Sequence, residues 1–173
     1  LGVALSAARP TAAAVYTSPD TSGAADSVYV AGNPDCFPLE YYSPGERAYR
    51  GAIPDMLAVI SEQTGISFTY IEVSAENRQK ELARNHQAEL ISALESDQDE
   101  CEIAELLPVF EVELDGRRVT YCIGFTAIAS PELVQKLRDA FAELSDAEKA
   151  GFLLANAQQI PASTRQHQWL RIG

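Results

Sequence analysis

Residues 36–51 read CFPLEYYSPGERAYRG, and they concentrate side chains suited to holding a small molecule. Phe37, Tyr41 and Tyr42 offer ring faces on which a ligand could stack. Glu40 could receive an ammonium group. Arg47 and Arg50 could grip a carboxylate through paired N–H groups. Arg50 also stands at the entry to a predicted helix, where an anion is welcome. Each residue has a plainer alternative. The aromatics could cap a sheet end, Glu40 could be a solvated acid, and Arg50 could pair with Glu46 or Asp55.

Catalytic patterns are missing. The chain contains no G-x-S-x-G, P-loop, G-x-G-x-x-G or H-E-x-x-H motif. His86 and His167 stand apart from any nucleophile, so no triad is suggested. Cys36, Cys101 and Cys122 lack C-x-x-C spacing, which argues against zinc and implies no cofactor or metal. The acidic run ESDQDECE lacks the glycine and ligand spacing of a calcium loop and reads as a solvated face. In an exported chain, one disulfide with one thiol left over is the natural outcome. Cys101 with Cys122 is the preferred pair, since the helix before and the strand after can lie side by side. The alternative is three buried free thiols.

The elements around this loop follow from periodicity. Residues 27–32 form a strand with Val28 and Val30 on one side, and residues 33–50 form a loop carrying Pro34, Pro38, Pro44 and Gly45. A helix follows, with Pro54 in its first turn, Ile53, Met56, Leu57 and Ile60 as its stripe, and Gly65 as its stop. ISFTYIEV at 66–73 is a strand. Ser74 caps a thinly apolar helix to about Asn85, and AELISAL at 88–94 is a third parallel strand. SDQDECEIAELL suggests another helix, with acids in its first turn. FEVELDGRRVTYCIGFTA is a hairpin around Asp115-Gly116, and its apolar Val112, Leu114, Val119 and Tyr121 face either core or a partner. Ser130-Pro131 opens a helix with Leu133, Leu137, Phe141 and Leu144 on one face, and Ser145 with Glu148 is a capping box for the last helix. Strands alternating with helices imply a helix-covered sheet.

The chain has 173 residues, enough for one domain, and 25 acids against 13 bases give a net charge of −12. That charge argues against a nucleic-acid partner. The opening LGVALSAARPTAAAVYTS, with A-x-A at Ala12–Ala14, reads as a signal-peptide remnant or a flexible terminus over residues 1–26. The tail 159–173, with Trp169 and its arginines, reads as a linker that could be juxtamembrane.

The segment VYVAGNPDCFPLEYYSPGERAYRGAIPDMLAVISEQTGISFTYIEV resembles the amino-terminal part of bacterial extracellular solute-binding proteins of the type 2 periplasmic-binding-protein fold. Asp35, Pro38, Glu40 and Tyr41 match the family's Asp-x-Pro-Pro-Phe-Glu-Tyr-like loop, whereas Phe37 and Leu39 depart from it. Gly51 and Asp55 match the helix entry, and Thr64-Gly65 the helix stop. The resemblance continues through AELISALESDQDECEIAELLPVF and resumes at YCIGFTAIASPELVQKLRDAFAELSDAEKAGFL. In the family a second lobe lies between those last two segments, and here only EVELDGRR stands in its place.

The resemblance implies an α/β fold: one lobe over residues 27–158, with a central, mostly parallel sheet flanked by helices. It implies an extracytoplasmic, solute-binding-like sensor domain of a membrane-bound signalling protein, tethered to the membrane outside this lobe and not an enzyme. A small solute such as an amino acid would bind through Phe37, Glu40, Tyr41, Tyr42 and Arg50. With one lobe no cleft closes within the chain, so a second reading is open: a degenerate lobe that pairs with itself or another protein across the former cleft face, without a small ligand.

Overall fold

The computed structural model describes residues 27–71, 82–83, 86–97 and 103–159. Strand β1 (Ser27–Ala31) leads into three short strands, β2 (Asp35–Cys36), β3 (Glu40–Ser43) and β4 (Ala48–Arg50). Helix α1 (Ala52–Thr64) and β5 (Ser67–Ile71) follow. Then come β6 (Leu90–Glu95), β7 (Ile103–Leu114) and β8 (Arg117–Thr126), and last the helices α2 (Pro131–Glu143) and α3 (Asp146–Ala157).

The main sheet has the order β5-β1-β6-β8-β7. β1 pairs parallel with β5 and with β6, whereas β8 is antiparallel to both β6 and β7. Four of the five strands therefore point one way, and only β8 runs against them. This is the mostly parallel sheet that the resemblance implies.

Apolar stripes set the layers. Ile53, Met56, Leu57 and Ile60 of α1 and Leu137 and Phe141 of α2 pack with Val28, Val30, Leu90, Ile123 and Phe125 in the principal core. Ile91 and Leu94, which alternate to the other side of β6, pack with Leu82, Ala83 and Ala88 in a smaller one. Helix signals read from the sequence hold. Gly65 is left-handed and its N–H bonds the Ser61 carbonyl, Ser130 caps α2, and Ser145 with Glu148 closes both halves of a capping box on α3. Asp115 (φ 53°) and Gly116 (φ 74°) both take the left-handed conformation that a two-residue hairpin turn requires.

Three expectations are corrected. Residues 33–50 are not a bare loop: β2, β3 and β4 form a three-stranded antiparallel sheet. The helix expected in SDQDECEIAELL is replaced from Ile103 onward by β7, while residues 98–102 lie outside the described residues. Strand pairing overrides local helix propensity there. Glu105 to Leu107 pair with Phe125 to Ile123, and Gly124 makes the fit, since a Cβ on it would stand 2.9 Å from Ile103. The helix expected from Ser74 also lies outside the described residues, except at Leu82 and Ala83. Finally, Cys122 is a buried free thiol and not half of a disulfide, and Cys101 is outside the described residues.

Of the hairpin's four apolar candidates, Val119 and Tyr121 are core residues, whereas Leu114 near the tip is exposed. Exposed cross-strand pairs line the arm, Arg118 with Glu111 and Arg117 with both Glu95 and Asp97, and pairs of that kind stabilise weakly.

One glycine joins the small sheet to α1. Gly51 has φ 130°, and a Cβ there would lie 2.4 Å from the Leu39 carbonyl oxygen. Gly51→Ala is expected to cost roughly 2 kcal/mol or more, from a disfavoured backbone region combined with a clash. Urea unfolding checks this, and a midpoint equal to that of the unsubstituted protein would contradict this junction.

Candidate functional site

β1 ends beside a crevice. Its order neighbours are reached in opposite senses, β5 on one side and β6 on the other, and in such sheets ligands sit outside the strand ends at that switch point. The turn after β1 is tight. A Cβ on Gly32 would lie 2.5 Å from the Tyr49 ring, and the Asn33 side-chain oxygen accepts the Asp35 N–H at 3.0 Å.

The crevice is filled from within the chain. Glu40 is completely buried. Its carboxylate accepts the Asn33 backbone N–H at 2.5 Å, the Tyr70 hydroxyl at 2.7 Å and the Ser92 hydroxyl at 2.6 and 2.8 Å. These donors follow β1, end β5 and lie within β6. A register shift in β6 between Ile91 and Leu94, with Ala93 at φ 53°, accompanies the Ser92 contact. Burial raises the Glu40 pKa to about 7, opposed by the hydrogen bonds from Ser92, Asn33 and Tyr70. Burial and the neighbouring Glu40 charge in turn push the Tyr70 phenol well above its ordinary value. When Glu40 is protonated, its O–H can donate to Ser92 Oγ, with the Ser92 hydroxyl turned to the Ala31 carbonyl 3.5 Å away.

The expectation that Glu40 meets a ligand's ammonium group is therefore corrected. Its carboxylate is buried and holds the small sheet against the large one. Successive residues of β3 point to opposite sides, so an inward Glu40 sends Tyr41 outward. The ring of Tyr42 meets Tyr49 edge-on with centroids 5.4 Å apart, and Tyr49 stacks on Tyr70 at 4.7 Å.

Tyr41, Tyr42 and Arg50 line an open groove of about 660 Å³ between the β3–β4 hairpin, the start of α1 and the end of α3. Phe37 is behind it, its ring 5.5 Å from that of Tyr41. Arg50 Nε donates to Glu46 Oε2 at 2.5 Å, in line with the ion-pair alternative. Asp55 and Asn156 complete the wall. Asn156 Nδ2 donates to Asp55 Oδ2 and to the Phe152 carbonyl, each at 2.8 Å. The Tyr41 phenol is raised by partial burial and then by the charge of Glu46, with Arg50 pulling the other way and Asp55 adding to the rise. Arg47, at φ 52° in the hairpin turn, does not line the groove.

On the hairpin side, Tyr121 donates to Glu95 at 3.5 Å, and burial with the Glu40 charge pushes the Cys36 thiol up to about 12. Among the described residues no group of three His, Cys, Asp or Glu side chains is placed to hold a metal, and no helix is long and apolar enough to cross a membrane.

No family model and no curated relative matches the sequence. Solved structures do match. Domain 1 from TmArgBP, in its arginine-bound form, aligns with a TM-score of 0.56 at 15% identity, covering 68% of this chain and 93% of that one. The Bordetella pertussis BvgS periplasmic VFT2 domain gives 0.65 at 12% identity, covering 75% and 92%. The amino acid ABC transporter substrate-binding protein AbpA from Streptococcus pneumoniae, bound to L-arginine, gives 0.62 at 11% identity, covering 79% and 95%. The chain has the fold of a single lobe of a type 2 periplasmic binding protein. In this lobe the β7–β8 turn at Asp115-Gly116 directly joins two strands of one sheet.

Asn33, Tyr70, Ser92, Asp55 and Asn156 were not singled out as site residues by sequence reasoning. Asp55 had a signal in the helix-entry match. Asn156 had none, being separated from Asp55 by 101 positions.

The Glu40 cluster sets a pH dependence for the lobe. The ordinary Glu pKa is 4.5 and the folded value about 7, so as pH rises the unfolded chain releases this proton first. Glu40 then favours the folded state most below about pH 4.5, and roughly 3 kcal/mol is lost as pH climbs to about 7. Glu40→Gln should flatten that part of the stability profile, measured by urea unfolding from pH 4 to 8. An unchanged slope would show that Glu40 does not titrate in this window.

Proposed function

We propose that this lobe is the solute-binding sensor domain of a membrane-bound signalling protein, working outside the cytoplasm and taking up a small solute such as an amino acid. The observation that carries this reading is the convergence of Tyr41, Tyr42 and Arg50, with Asp55 and Asn156, on one groove of about 660 Å³. That volume suits a small ligand. The solved structures of the same fold support it: one of them is a single domain with arginine bound, and another is a periplasmic domain of BvgS. Binding is the role this reading assigns, in keeping with the binding and sensor domains that share the fold. The groove is open, so the affinity of one lobe alone is modest.

A second reading, an interaction module without a small ligand, is favoured by one observation. Leu114 at the hairpin tip is 47% exposed, where the fold offers the short turn in place of a second lobe. Sedimentation distinguishes it, since that reading requires a dimer or a partner complex.

Thermal unfolding with a panel of amino acids at millimolar concentration tests the first reading. A ligand at a hundred times its dissociation constant should add about 2.7 kcal/mol to stability. Tyr41→Ala should diminish the shift while leaving the ligand-free melting temperature within a few degrees. A flat panel, together with a dimer in sedimentation, would replace the sensor reading with the interaction reading.

A further inference from the structure

We infer that the groove selects an organic cation, a guanidinium or alkylammonium group, with Asp55 as its anionic partner and Tyr41 as its aromatic face. The inference rests on the solute-binding reading and names the class of ligand.

Three charged side chains face the groove: Arg50, Glu46 and Asp55. Arg50 and Glu46 neutralise each other through the 2.5 Å contact at Nε. Asp55 then remains as the excess charge. Its hydrogen bond comes from the Asn156 amide, a neutral donor that orients the carboxylate without cancelling it. Asn156 is itself only 6% exposed and anchored to the Phe152 carbonyl, so the orientation is held by the last turn of α3. The Tyr41 phenol beside these groups is raised first by partial burial and then by the Glu46 charge, with Arg50 opposing and Asp55 adding to the rise.

A cation here would meet one carboxylate in excess and the face of a tyrosine, two attractions that act together. An anion would first have to take Arg50 from Glu46, and would approach a chain of net charge −12. The sequence-based assignment of Arg50 as a carboxylate grip gives way to the role of a neutralised wall residue.

Titration calorimetry on the whole 173-residue chain tests this with four probes. Agmatine carries a guanidinium and an ammonium group and no carboxylate, 4-hydroxybutylurea replaces both cationic groups with neutral ones, L-arginine adds a carboxylate, and succinate is purely anionic. Agmatine and L-arginine should bind, 4-hydroxybutylurea should bind at least about tenfold more weakly than agmatine, and succinate not at all. Asp55→Asn should weaken agmatine roughly tenfold. Because Asp55 also lies in the first turn of α1, Glu46→Gln and Tyr41→Leu serve as further variants, each expected to lower agmatine affinity several-fold. Added salt should weaken agmatine in the unsubstituted protein. Equal affinity for agmatine and 4-hydroxybutylurea overturns the cation assignment, and so does binding of arginine or succinate without agmatine. In those cases the solute-binding reading stands. If no probe and no amino acid binds, both readings fall.

Discussion

One buried carboxylate organises this lobe. Glu40 is withdrawn completely from water and satisfied by a backbone N–H and two hydroxyls from three different parts of the main sheet. An ionisable group so placed is costly unless those donors are present together. The turn at Gly32-Asn33, the end of β5 and the irregularity in β6 must therefore form in mutual register. This contact also fixes the small β2-β3-β4 sheet against the large one.

Alternation along β3 then distributes the binding-type residues. With Glu40 inside, Tyr42 joins the aromatic series through Tyr49 to Tyr70, and Tyr41 turns to the groove. The crevice at the switch point, where open α/β sheets ordinarily admit a ligand, is here occupied by the chain's own acid. Space for a solute lies outward, between the hairpin and the ends of α1 and α3. The Asp55–Asn156 contact makes the final described helix a wall of that space, joining residues 101 positions apart.

The β7–β8 hairpin shapes the rest. Two left-handed residues, Asp115 and Gly116, return the chain directly into the same sheet. Because β8 lies between β6 and β7, the hairpin completes the sheet and its inner residues Val119 and Tyr121 join the core. Among the described residues no second lobe stands opposite the groove, which leaves electrostatics and ring contacts, more than enclosure, to determine what it could hold.

Much of the architecture was legible in the sequence. The stripe of α1, its Gly65 stop, the Ser130 and Ser145 caps and the Asp115-Gly116 turn depend on neighbours within a few positions, where spacing and backbone preference decide the outcome. Of Phe37, Tyr41, Tyr42 and Arg50, chosen from the sequence for their chemistry, three line the groove. The strand at Ile103 was not legible, because its local pattern favours a helix and only the partner strand, with Gly124 opposite, makes extension better. The burial of Glu40 was equally hidden, since Ser92 and Tyr70 are 52 and 30 positions away. The sequence by itself thus determined the caps, turns and apolar stripes that depend on near neighbours. Only the tertiary structure decided which acid is core and which faces solvent, because that depends on donors brought together from distant strands.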